Sequence, residues 1–161
     1  MGSCAECSDR KVAILDVAVI GMSGRFPGAE NVGTFFHQLV AGESAIRRVP
    51  ESRWDWRAHY ADAMETPDKT YASHGAFLDG VDLFDPSFFG ISGREAARMD
   101  PQQRLFLEES WRAVEDAGYA NGEWSGRAVG VFLGTGPGDY MDLLGQTEGL
   151  ADGYLLTGNT I

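Results

Sequence analysis

Cys4 and Cys7 are the only cysteines, and their Cys-x-x-Cys spacing is that of half a zinc site or of a redox pair. A structural zinc needs a second pair of Cys or His at ligand spacing, and none follows. The bland reading is two free thiols on a flexible tail, residues 1–11, with no metal bound. His37, His59 and His74 are the three histidines. None has a Cys, Ser or Asp at a recognisable catalytic spacing, and each is expected to be a partly exposed hydrogen-bonding residue. Glu108 and Glu109 are adjacent on what reads as a helix, where neighbours point about 100° apart. That makes them a poor carboxylate dyad, and a solvated face is expected.

Two glycine-rich turns invite a phosphate-binding reading. Gly134 to Gly138 is spaced Gly-x-Gly-x-Gly, unlike the dinucleotide fingerprint. Pro137 also removes a backbone N–H that a phosphate would need. The turn from Gly21 to Gly28 fails the same test, and no Gly-Lys-Ser/Thr occurs. Each turn reads instead as the tight exit from a strand, where open α/β sheets build pocket walls.

The elements that would position these residues follow from periodicity and caps. Val12 to Ile20 is a nearly continuous apolar run, too short for a typical helix and expected to be a buried parallel strand. Asn31 is placed to cap a helix carrying Phe35, Phe36, Leu39 and Val40 at helical spacing, with Gly42 just past its end. Residues 43–90 lose regular periodicity but are rich in Trp, Tyr and Phe, which predicts a packed excursion rather than a bare loop. Ser92 to Glu95 fits a capping box for a short helix ending near Met99. Asp100-Pro101 is a stronger start, and the helix behind it is expected to bury Phe106, Leu107, Ser110, Trp111, Val114 and Ala117 before Gly118. Arg127 to Gly134 reads as a second buried strand, and residues 141–156 as one or two short helices broken at Gly145 and Gly149.

Composition sets the outer bounds. The 161 residues are 43% hydrophobic and 23% charged, ordinary for one folded unit, and the 21 glycines fall at turns rather than in repeats. The net charge is −11, with no basic cluster beyond Arg47-Arg48, so nucleic acid is a poor partner. No run approaches the roughly 18 apolar residues of a membrane span. The first residues lack the basic and apolar regions of a signal peptide, which predicts a cytoplasmic protein.

Several segments together resemble the ketosynthase domains of modular type I polyketide synthases. They are Val17 to Gly28 (VAVIGMSGRFPG), Val49 to Trp54 (VPESRW), Gly75 to Leu78 (GAFL) and Phe84 to Ser92 (FDPSFFGIS). Met99 to Leu105 (MDPQQRL), Trp111 to Tyr119, Val129 to Gly134 (VGVFLG) and Gly158-Asn159 continue the order. The likeness runs from about Val12 to Ile161. The sequence departs from the family's usual pattern at Gly93, where relatives have Pro, at Ala76, where they have Gly, and at Asp68.

The resemblance implies an α/β, thiolase-like fold, layered α-β-α-β-α, of which residues 12–161 would form most of the first half. It implies decarboxylative Claisen condensation of a carrier-bound acyl chain with a malonyl-type extender. The substrate would arrive on the phosphopantetheine arm of an acyl carrier protein, with no cofactor bound directly. Partners would be the acyl carrier protein, other synthase domains and a second copy of the domain. The family's catalytic Cys, in a Thr-Ala-Cys-Ser-Ser motif beyond the position of Asn159, and both its histidines have no counterpart in these residues. No catalytic residue is therefore assigned, and the chain by itself is expected to be inactive. The same resemblance makes Thr135, Gly136 and Pro137 candidates for the acyl-pocket wall and Asn159 a candidate for the active-site rim. It makes the excursion at 43–90 a surface for a linker or the carrier protein. The alternative is a non-catalytic ketosynthase-like module that binds carrier protein or synthase subunits.

Overall fold

The computed structural model describes residues 16–62, 66–120, 122, 124–136 and 138–145. Cys4 and Cys7, Pro137, Gly149 and Asn159 lie outside them. The elements are α1 (Val32–Ala41), β1 (Arg47–Arg48), α2 (Trp56–His59), β2 (His74–Gly75), α3 (Gly93–Ala96), α4 (Pro101–Asp116) and α5 (Tyr140–Gly145).

The helices start and stop where their caps direct. Asn31 Oδ1 accepts the Thr34 N–H at 2.8 Å, so α1 begins on a satisfied donor. Gly42 takes φ 69° and closes the helix with its N–H on the last carbonyls, a conformation that favours glycine. Ser92 caps α3 by accepting from Glu95 N, and Asp100 caps α4 by accepting from Gln102 N at 2.8 Å. Pro101 sits in the first turn of α4, where its missing N–H leaves nothing unpaired. Gly118, at φ 79°, follows the end of α4. The first of the short helices expected after 140 is α5, which ends at Gly145.

The excursion is packed, as its aromatics require. Its first part is closed by an antiparallel pair, Arg47 opposite Gly75 and Arg48 opposite His74. Inside it, the guanidinium carbons of Arg48 and Arg57 lie 4.9 and 5.1 Å from the centre of the Trp56 ring, and the Tyr60 ring meets it edge to face with centroids 5.8 Å apart. Further on, Phe84 stacks on Phe89, and Phe88 meets Trp111 of α4 edge to face at 5.2 Å. The excursion is therefore tied to the long helix as well as closed on itself.

The two expected buried strands do not form among the described residues. Residues 16–20 and 128–134 carry no strand pairing. Their side chains face outward, with Val17 90% and Phe132 96% exposed. The physical reason is that an apolar run becomes a strand only when a neighbour accepts from its N–H groups and donates to its C=O groups, and no described segment does so. Similarly, on α1 only Phe35 of the expected apolar face is covered, stacked on Phe26 at 3.9 Å, while Phe36, Leu39 and Val40 stay exposed. The broad face of α4 is half-buried. The buried apolar residues Ala29, Val49, Ala96, Met99 and Leu144 are few and dispersed.

Candidate functional site

Helix α4 organises both clefts of interest, one along its body and one at its start. Along the body, the turn that begins at Gly21 lies directly on the helix. A Cβ at Gly21 would land on the Ala113 carbonyl oxygen and 2.8 Å from the Ala117 Cβ, so only glycine allows this approach. Met22 N donates to Asp116 at 2.9 Å. Ser23 Oγ donates to Glu109, and Arg25 bridges Glu109 (Nε to Oε1, 3.0 Å) and Glu108 through its second nitrogen. Arg112 completes the group from the next turn of the helix.

The Glu108–Glu109 pair is thus not a solvated face. Both carboxylates are mostly covered, at 18% and 19% exposed. Adjacent helical side chains diverge at Cβ, but two flexible glutamates can converge on one forked cation, and Arg25 supplies the fork. Burial pushes the Glu109 carboxyl up, yet hydrogen bonds from Ser23 and Arg25 and the charge of Arg112 outweigh it, leaving the group below its ordinary value. The adjoining cleft, about 840 Å³, is lined by Ser23, Arg25, Asn31, Asp79, Phe84 and Glu108. Ser23, Arg25 and Arg112 all pair with this carboxylate couple, so the arrangement holds a turn in place on the helix.

The second cleft, about 910 Å³, opens at the start of α4 and is lined by Arg53, Gln102, Arg104, Gly138, Tyr140 and Leu143. Arg104 is 8% exposed, its guanidinium 5.7 Å from the centre of the Tyr140 ring. Tyr140 Oη donates to the Ala97 carbonyl at 3.0 Å. Gly138 stands against the capping carboxylate of Asp100, close enough that a Cβ there would overlap Oδ2.

Thr135 and Gly136 are exposed and precede this anchored stretch; neither lines the cleft itself. Pro137 and Asn159 are not among the described residues. All three histidines are exposed: His37 lies beside Phe36, His59 beside Trp54, and His74 shares a hydrogen bond with Ser73 at 3.0 Å. Among the described residues no group of His, Cys, Asp or Glu is placed to hold a metal ion. No described helix is long and apolar enough to cross a membrane. The sequence reading missed the Arg25 clamp and the Asp100–Gly138 contact. Arg25 inside a glycine-rich turn was the available signal for the first, and the second had none.

The comparisons agree on one family. Residues 15–161 match the model of the β-ketoacyl synthase N-terminal domain. The chain is 49% identical over 152 residues to the polyketide synthase GfsB of Streptomyces halstedii, covering 92% of this chain and 3% of that protein. It is 44% identical over 137 residues to the polyketide synthase PksN of Bacillus subtilis, covering 85% of this chain and 2% of that protein. Among solved structures, the ketosynthase from module 6 of the bacillaene synthase of Bacillus subtilis aligns with a TM-score of 0.59 at 46% identity, covering 63% of this chain and 17% of that one. The oxazolomycin ketosynthase domain OzmH KS7 of Streptomyces albus aligns with a TM-score of 0.58 at 40% identity, covering 61% and 17%. The chain therefore spans only a small part of the proteins it matches. Its mixed α/β elements are those of the thiolase-like ketosynthase fold, from the N-terminal part of that domain. By the extent of the family match and the agreement of sequence and backbone, the chain belongs to the β-ketoacyl synthase family, as an N-terminal ketosynthase segment of the polyketide-synthase type.

Proposed function

We propose that these residues serve a polyketide β-ketoacyl synthase that performs decarboxylative Claisen condensation. In that reaction a cysteine thiolate attacks the thioester of a carrier-bound acyl chain, takes the acyl group and releases the carrier thiol. A malonyl-type thioester then loses carbon dioxide, and the resulting enolate attacks the acyl-enzyme carbonyl. The C–C bond forms, the cysteine thiolate leaves, and a β-ketoacyl thioester remains on the second carrier. Oxyanion donors and a cysteine of lowered pKa supply the rate in such chemistry. Cys4 and Cys7 precede the first apolar run and fill neither role, so this segment contributes scaffold and pocket wall.

The observation that carries the reading is the unbroken family match over residues 15–161. On this reading Thr135, Gly136 and Pro137 border the acyl chain, and Asn159 belongs to the active-site rim. The substrate arrives on phosphopantetheine, the domain pairs with a second copy, and the protein works in the cytoplasm. The test is made on the complete polypeptide that carries these residues. Intact-mass measurement should find one acyl adduct on a cysteine outside residues 1–161 after incubation with an acyl thioester. Addition of a malonyl-loaded carrier should convert it to a β-ketoacyl product. The 161-residue chain alone should do neither. An acyl adduct on Cys4 or Cys7, or a complete polypeptide that never acylates, would sink the proposal.

A further inference from the structure

The one buried residue of α4 is an arginine. Arg104 is 8% exposed and lines the cleft at the start of the helix. Among the described residues no carboxylate forms an ion pair with it, and its Nε has no hydrogen-bond partner. Asp100, one turn earlier on the helix, is committed through Oδ1 to Gln102 N. Asp82 and Asp139 line the same cleft without pairing with the guanidinium. The Tyr140 ring, 5.7 Å away, offers it only the weak attraction of an aromatic face. Arg25 shows the usual outcome for a mostly covered guanidinium, since two carboxylates hold it. An arginine cannot lower the cost of burial by losing its proton, so a buried one requires an acceptor.

We infer that Arg104 receives a carboxylate side chain carried by the same polypeptide outside residues 1–161, and that this pair fixes the rest of the domain against the start of α4. The inference rests on the ketosynthase reading given under Proposed function. The occupant is a segment of the domain itself, because the alignment takes in only 17% of the bacillaene ketosynthase chain. The cleft of about 910 Å³ meanwhile stands open beside a helix whose broad face is half-buried. A carboxylate is the anion that fits, since its two oxygens match two parallel N–H donors of one guanidinium. A phosphate dianion would meet Asp82, Asp100 and Asp139 around the cleft, with only Arg53 and Arg104 against them. Arg53 already donates to the Leu78 carbonyl, which leaves Arg104 as the cation of this cleft that lacks an acceptor among the described residues.

The experiment uses the complete polypeptide with Arg104→Lys, which keeps the positive charge and puts an amine in the cleft. A water-soluble carbodiimide activates carboxyl groups. Where an amine touches one, an amide C–N bond forms, the activated C–O bond breaks, and the oxygen leaves in the urea by-product. Peptide mass spectrometry should find the peptide containing position 104 joined to an Asp or Glu outside residues 1–161. Unfolding in urea before the reagent is added should abolish the link. Arg104→Met should lower the urea midpoint of the complete polypeptide, because it leaves the acid buried without its cation. Replacing the cross-linked acid by Leu in the Arg104→Met protein should recover most of that loss. The link is read in a variant that retains the charge, so it decides the matter even where Arg104→Met fails to fold. No link from position 104, or a link only to Asp82, Asp100, Asp139 or another acid within residues 1–161, would overturn the inference. So would equal midpoints for Arg104→Met and wild type. A polypeptide that gives the link but is never acylated would overturn the proposed function alone, and acylation without the link would overturn this inference alone.

Discussion

The guanidinium of Arg25 and the carboxylate of Glu109 meet at 3.0 Å although 84 positions separate them in sequence. Their contact fastens a glycine-rich turn to the longest described helix, and the neighbouring Glu108 shares the same cation. Removing the arginine would leave Glu108 without its cation, beside a Glu109 held by Arg112 alone.

Arg25→Ala should therefore destabilise the folded protein by about 2 kcal/mol, the range for a lost charge-assisted hydrogen bond at a partly buried site. Arg25→Lys should do less harm, because it restores the charge but not the two-pronged geometry. Urea unfolding midpoints of the three proteins at neutral pH provide the measurement. Equal midpoints for Arg25→Ala and wild type would refute the clamp.

The same clamp is sensitive to acid. Glu109 is lowered on folding from its ordinary value of 4.5. A depressed carboxyl contributes stability that is fully present above the unfolded value and is lost as pH falls through the folded one. Stability should hold down to about pH 5 and then decline. Glu109→Gln should start lower near neutrality and decline less steeply over the same acid range. Parallel pH profiles for the two proteins would count against the assignment.

Two glycines should respond in opposite ways to a side chain. Gly21→Ala would drive a methyl into the Ala113 carbonyl and should cost about 1–3 kcal/mol. Gly93→Pro should stabilise by about 0.5–1 kcal/mol. Position 93 is the first residue of α3, where proline loses no hydrogen bond, and Ser92 at φ −71°, ψ 148° already has the extended conformation that a following proline requires. Thermal unfolding of both variants reads the two signs directly, and a destabilised Gly93→Pro would contradict the cap geometry.

The exposed apolar runs bear on whether the 161-residue chain can act alone. Val17, Val19, Val131 and Phe132 are all more than half exposed. Surfaces of this kind bind hydrophobic dyes and drive association. The isolated chain should bind such a dye strongly and elute from size exclusion above its monomer size. Val131→Lys/Phe132→Glu should reduce both signals. A clean dye-negative monomer would favour the independent interaction module over a segment of a larger domain.

Much of the local structure was legible in the sequence because caps act over a few residues. Asn31, Ser92 and Asp100-Pro101 begin their helices, and Gly42 and Gly118 mark two of the ends. Among the described residues the two apolar runs do not pair as the expected strands, because hydrophobicity records what a segment must cover, not whether a neighbour is there to pair with it. The Glu108–Glu109 pair was misread because its partner lies in a distant turn. At the candidate site, Thr135 and Gly136 could be pointed to only through motif resemblance. The approach of Gly138 to Asp100 is invisible locally, since the carboxylate belongs to another element.

That carboxylate links two properties that could otherwise vary separately. Asp100 starts a sixteen-residue helix and also limits the loop beyond the second apolar run. A side chain introduced at 138 would meet Oδ2 of Asp100 while Oδ1 holds the cap, so a change in the loop is felt at the start of the helix. An engineer reshaping this loop would therefore have to follow the stability of a helix that begins at Asp100 as well as the loop itself.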